Sequence, residues 1–161
     1  MASDFDTIAA VATGPAPGAI GIVRVSGSAS FGIVSYLLRG SRFSPSSAVS
    51  HHVYHGYVHD PATGEPIDEV LLLVFREPHS YTGEDVVEIS CHGGPYVLSR
   101  VLEATIAAGA RHAEPGEFTM RAYLRGRMDL AQAEAVADII EARSEGALRC
   151  AIRQREGGLS K

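Results

Sequence analysis

The sequence predicts an α+β domain, a mixed or antiparallel sheet with packed helices, followed by the start of an α-helical domain. Three observations carry this expectation. Alternating or β-branched runs lie before residue 93, and two of them flank a turn-forming segment. Helical patterns occur among and after these runs without the strict strand–helix alternation of a parallel sheet. Beyond Arg111 the apolar spacing becomes helical.

The elements follow in order. Asp6 to Thr13 reads as a short strand and Ile20 to Ser26 as a second, joined by Gly14-Pro15-Ala16-Pro17-Gly18, which its prolines stiffen. Ser28 or Ser30 is placed to cap a helix reaching about Leu38. A serine-rich loop spans Gly40 to Ser50. His51 to His59 and Ile67 to Arg76 read as the strands of a hairpin around Pro61-Ala62-Thr63-Gly64-Glu65-Pro66. Val86 to Ile89 begins another strand. Gly94 to Gly109 reads as a helix with Val97, Leu98, Val101, Leu102, Thr105 and Ile106 on one face. A short helix starts near Glu117 and ends near Gly126. From Asp129, with a capping-box spacing to Gln132, one long helix is expected to reach about Glu156. Its stripe of small residues asks for a partner helix, and little of the chain remains to supply one.

At 161 residues, 45% hydrophobic and 20% charged, the chain has ordinary globular usage. Two cysteines, Cys91 and Cys150, make no disulfide framework and fit a reducing compartment. The acidic N-terminus lacks the basic start of a secretory signal, and Gly-Pro punctuation interrupts the only long apolar run. A cytoplasmic, soluble protein without membrane association is expected. A formal net charge of −5 argues against bulk affinity for phosphates. The only lysine is Lys161, so these residues hold neither a Walker A loop nor an internal Schiff-base lysine.

The richest stretch runs from Ser80 to Pro95, Ser-Tyr-Thr-Gly-Glu-Asp-Val-Val-Glu-Ile-Ser-Cys-His-Gly-Gly-Pro. Glu88 stands inside a β-branched run, where a carboxylate is costly unless something pairs with it. Gly93 and Gly94 allow backbone to approach a ligand or a neighbouring strand. Two readings of Glu88 stand: a ligand contact, or a salt bridge across the sheet. Arg24, in the apolar strand Ile22-Val23-Arg24-Val25, either points to solvent or meets an anion. Cys91 and His92 invite a nucleophile reading, but adjacent strand residues face opposite ways. His51, His55 and His59 fall about 13 Å apart along a strand, too far to share a metal. No metal site is predicted.

Several motifs stand in one order: Asp6-Thr7-Ile8-Ala9-Ala10, Gly21-Ile22-Val23-Arg24-Val25-Ser26-Gly27, the Ser80–Pro95 stretch, Pro115 to Leu124, and Met128 to Ala135. With them the chain resembles the N-terminal region of the bacterial and organellar tRNA-modification GTPases, the MnmE (TrmE) family. The resemblance implies a 5-formyltetrahydrofolate-binding and dimerisation domain over residues 1–119, similar to the tetrahydrofolate domain of aminomethyltransferases. Residues 120–161 would then be the first segment of the helical domain. GTP, Mg and K would be bound only through a GTP-binding domain that these residues do not include. The full-length family hydrolyses GTP; this chain alone is not expected to be catalytic.

The resemblance carries Arg24, Glu88 and Arg127 over as folate contacts. A carboxylate suits the paired N–H donors of a pterin edge. Arg127 stands where the family often has lysine, and its bland alternative is a helix-end arginine. Pro17 replaces the arginine usual in the family's glycine-rich loop. Implied partners are a second copy of the chain and the flavoprotein MnmG (GidA), which works with the family on carbon 5 of wobble uridine. Contact with tRNA through the C-terminal arginines is the weaker expectation, beside simple helical ion pairs. Two other functions compete: an independent folate-dependent one-carbon transferase, and a purely structural dimerisation module.

Overall fold

In the computed structural model, which describes residues 6–157, seven strands form one sheet. They are β1 (Ile8–Val11), β2 (Ile20–Ser26), β3 (Leu38–Arg39), β4 (His52–His59), β5 (Pro66–Phe75), β6 (Val86–His92) and β7 (Arg111–His112). Their spatial order is β3-β4-β5-β6-β2-β1-β7. Every pairing is antiparallel except the short parallel contact of β1 with β7. The helices are α1 (Ser30–Leu37), α2 (Pro95–Ala107), α3 (Glu117–Leu124), α4 (Leu130–Glu141) and α5 (Glu145–Arg155). The architecture is the α+β one that the sequence predicts.

The chain divides into two compact units. One comprises the described residues up to Ser80 together with Glu84–Pro115; the other comprises Tyr81–Gly83 and the described residues from Gly116 on. In the first unit, alternation sends Val23, Val25, Val70, Leu72, Val74, Val87 and Ile89 into a core shared with Phe31, Val34 and Leu37 of α1 and Leu98 and Val101 of α2. The central strands β5, β6 and β2 are long and β-branched, as a face buried under helices requires. Arg76 secures the serine-rich loop: its guanidinium donates to the carbonyls of Ala48 and Pro45, each at 2.7 Å, and lies over the Phe31 ring.

Three local expectations are corrected. No side chain caps α1; Ala29 is its N-cap, and its N–H donates to Thr7 Oγ1 at 3.0 Å. Ser30 instead sits inside the helix, its hydroxyl donating to the Gly27 and Asp85 carbonyls. His51 does not begin β4: its φ is +64°, so the strand starts one residue later.

The third correction concerns the long helix. It is two helices in the second unit, because the chain turns extended at Ala142 and Ser144 caps α5 by accepting from the Ala147 N–H. The partner that the small-residue stripe needs is thus the other half of the same segment. Gln132 Nε2 donates to the Arg155 carbonyl, and Gln154 Nε2 to that of Ala131, tying the two helices antiparallel. The predicted capping box of Asp129 and Gln132 is present at the start of α4. No described helix is long and apolar enough to cross a membrane.

Candidate functional site

Sheet register brings Arg24 and Glu88 together. Strand β2 runs antiparallel to β6 with Arg24 opposite Glu88, and β5 places Leu73 on the other side of Glu88. Both charged residues alternate with core residues, so both project from the face of the sheet away from α1 and α2. Arg24 Nε and Nη2 each lie 3.1 Å from Glu88 Oε1. Of the two readings of Glu88, the cross-sheet salt bridge is therefore present in the fold. It does not exhaust the carboxylate. Both nitrogens meet the same oxygen, and among the described residues Oε2 receives no hydrogen bond. The side chains are 24% and 19% exposed, so the pair is sheltered but reachable.

Farther along β6 lies a depression of about 260 Å³, lined by Ala19, Ile20, His55, Glu69, Leu71 and Ser90 together with Cys91 and His92. Its two imidazoles are each held by a carboxylate. His55 Nε2 lies 2.7 Å from Glu69 Oε1, and His92 Nδ1 lies 2.7 Å from Asp68 Oδ1. Asp68 is nearly buried, and its second oxygen accepts the His92 backbone N–H at 2.8 Å. The sequence reading missed Asp68; the only signal for it was the acidic pair Asp68-Glu69 at the start of an apolar strand.

Cys91 and His92 do part to opposite sides. Cys91 is buried and its thiol donates to the Gly21 carbonyl, whereas His92 is exposed. Burial, reinforced by the charge of Asp68, pushes the Cys91 thiol up to about 11, the reverse of an activated nucleophile.

The glycines beside them differ in role. A Cβ on Gly93 would stand 2.3 Å from the Gly18 carbonyl oxygen. The Gly93 N–H donates to the Ala19 carbonyl, which closes the Gly14–Gly18 loop onto the end of β6. Gly94 has open space around it and is the N-cap of α2.

Arg127 belongs to the second unit. It follows α3, is exposed, and its guanidinium makes no ion pair or hydrogen bond among the described residues. Its aliphatic stem runs beside Gly83, whose carbonyl accepts from Arg125 Nη2 at 3.0 Å. Tyr81 is tied to the same helix by a 2.7 Å contact between its hydroxyl and Thr119 Oγ1. Of the remaining C-terminal arginines, Arg121 is buried against Glu117, and Arg149 pairs with Glu145 on the surface of α5. Among the described residues no cluster of three or more histidines, cysteines and acids is placed to hold a metal ion.

A protein-family model described as the GTP-binding protein TrmE N-terminus matches residues 7–127. Curated relatives named tRNA modification GTPase MnmE align over nearly the whole chain. The protein from Moorella thermoacetica is 52% identical over 157 residues, covering 97% of this chain and 34% of its own length. That from Thermotoga maritima is 51% identical over 155 residues, covering 96% and 33%. That from Lactiplantibacillus plantarum is 46% identical over 159 residues, covering 99% and 34%. The chain thus spans about a third of the length of these relatives.

Proposed function

The chain belongs to the family of the TrmE N-terminus, and on that premise we propose that it binds 5-formyltetrahydrofolate and dimerises as the N-terminal region of a tRNA modification GTPase. The reaction it serves is modification of carbon 5 of the wobble uridine (U34), carried out by the whole protein with a flavoprotein partner. The observation that carries the folate reading is the half-sheltered Glu88 carboxylate with its unoccupied oxygen, Oε2. A pterin edge presents two adjacent N–H donors, and a carboxylate with spare lone pairs is their natural acceptor. Arg24 cancels the charge of Glu88 and fixes one of its oxygens, leaving the other for the ligand. Arg127, in the second unit, is proposed as a folate contact on the family resemblance alone, a guanidinium being suited to a carbonyl or carboxylate. When bound, the folate supplies one-carbon chemistry; this chain's residues bind and orient it.

Titration of the chain with 5-formyltetrahydrofolate by calorimetry tests this. Saturable binding is expected, weakened at least tenfold in Glu88→Ala. No binding by the folded chain, or an unchanged affinity in the variant, overturns the folate reading.

A further inference from the structure

The second unit is built from two stretches of chain, the described residues from Gly116 on and the three residues Tyr81, Thr82 and Gly83. Those three form the tip of a tight loop whose base belongs to the first unit. The Ser80 hydroxyl donates to the Glu84 carbonyl at 2.5 Å and closes the loop. Glu84 is buried, and its Oε1 accepts from the Ser26 hydroxyl at 2.9 Å. The Asp85 carbonyl accepts from the Gly27 N–H and the Ser30 hydroxyl. A three-residue tip on so fixed a base has little conformational freedom left to lose.

The tip is joined to α3 at two places. Near the start of the helix, the Tyr81 hydroxyl lies 2.7 Å from Thr119 Oγ1. Past its end, the Gly83 carbonyl accepts from Arg125 Nη2 at 3.0 Å. Gly83 has φ +80°, and a Cβ there would stand 3.2 Å from Arg127 Cγ and 3.3 Å from Arg125 Cβ, so both arginine stems lie against bare backbone. The helix itself closes with the two bonds of a Schellman turn. Gly126, at φ +76°, donates its N–H to the Tyr123 carbonyl, and Arg127 donates its own to that of Ala122 at 2.8 Å. Arg127 is thus the residue where the helix end and the loop tip meet.

We propose that Tyr81 and Gly83 are positioning residues for Arg127: the loop tip grips α3 through the Tyr81–Thr119 and Gly83–Arg125 contacts and so holds the base of the Arg127 side chain in one place. The inference rests on the reading of Arg127 as a folate contact and adds what holds it. A long exposed arginine loses much rotamer freedom when it engages a ligand, and a base fixed in advance lowers that cost.

Hydrogen exchange of the Arg127 amide, followed by NMR in the ligand-free chain, provides the first readout. Tyr81→Phe removes only a hydroxyl and is expected to speed this exchange about fivefold, the loss of one hydrogen bond. Thr119→Val should do the same, and the double variant no more than either, because both break one contact. Thr119→Ser keeps the hydroxyl and should restore the unaltered rate. An Arg127 amide that exchanges at the unaltered rate in both Tyr81→Phe and Thr119→Val overturns the positioning role.

Titration with 5-formyltetrahydrofolate supplies the second readout. Tyr81→Phe is expected to weaken binding about threefold where Arg127 is present and to change nothing in an Arg127→Ala background. An equal loss in both backgrounds, or saturable binding that Tyr81→Phe leaves unchanged, overturns this inference and leaves the Glu88 reading standing. Absence of saturable binding by the unaltered chain overturns both.

Discussion

Glu88 illustrates how far a single residue can be read. Its position in a β-branched run demanded a partner, and Arg24 drew notice independently for the same reason. What no local pattern supplied was that they are partners of each other; a register linking residues 24 and 88 decides that. Cys91 gives a cleaner residue-scale test. Its burial raises the thiol from an ordinary value of 9.0 to about 11. The unfolded chain therefore releases this proton at lower pH than the folded one. Its stabilising effect is complete below about pH 9 and is lost as pH rises toward 11, by roughly 2–3 kcal/mol. Denaturant titrations of unaltered chain and Cys91→Ala across this range should show the steeper fall in the unaltered chain. At pH 8, an alkylating reagent should label the exposed Cys150 and spare Cys91 in the folded protein. Equal labelling would contradict the buried thiol.

At the scale of elements, strands were easier to place than helix ends. Alternation in β4 and apolar, β-branched runs in β2, β5 and β6 place these strands within a few residues, because burial against a core marks the whole segment. The break between α4 and α5 escaped the pattern, since the stripe of Ala133, Ala137, Ile140, Ser144, Ala147 and Ala151 continues on both sides of it. Ser144 was the available signal, a capping residue inside an apparent helix. The double glycine joins β6 to α2, and its two members should behave differently. Gly93→Ala forces a Cβ against backbone that cannot move aside, and a loss of about 2–3 kcal/mol is expected. Gly94→Ala meets open space and should cost less than about 1 kcal/mol, chiefly from a poorer N-cap. Thermal unfolding of the two variants side by side checks this; similar midpoints would show that the Gly18 contact yields.

For the molecule as a whole, we propose that the second copy of the chain meets the β4–β5 part of the sheet face away from α1 and α2, beside rather than over Glu88 on β6. Val53, Tyr57 and Leu71 are exposed there, more apolar side chain than a solvated sheet needs. Leu71→Asp should convert a dimer to monomer in sedimentation while leaving the circular dichroism spectrum unchanged. A dimer that survives it would move the interface elsewhere. By itself the sequence determined the α+β class, most strands and α2, and it singled out Glu88 and Arg24. It could do so because alternation, helical spacing and a charge among β-branched residues are local signals that burial imposes. Only the tertiary structure decided that Arg24 neutralises Glu88, that Asp68 holds His92, that Arg76 pins the serine-rich loop, and that Gly93 must lack a side chain. Each of these joins residues about 24 to 75 positions apart. Such pairings are set by strand register and loop closure, which leave no periodic mark on either partner alone.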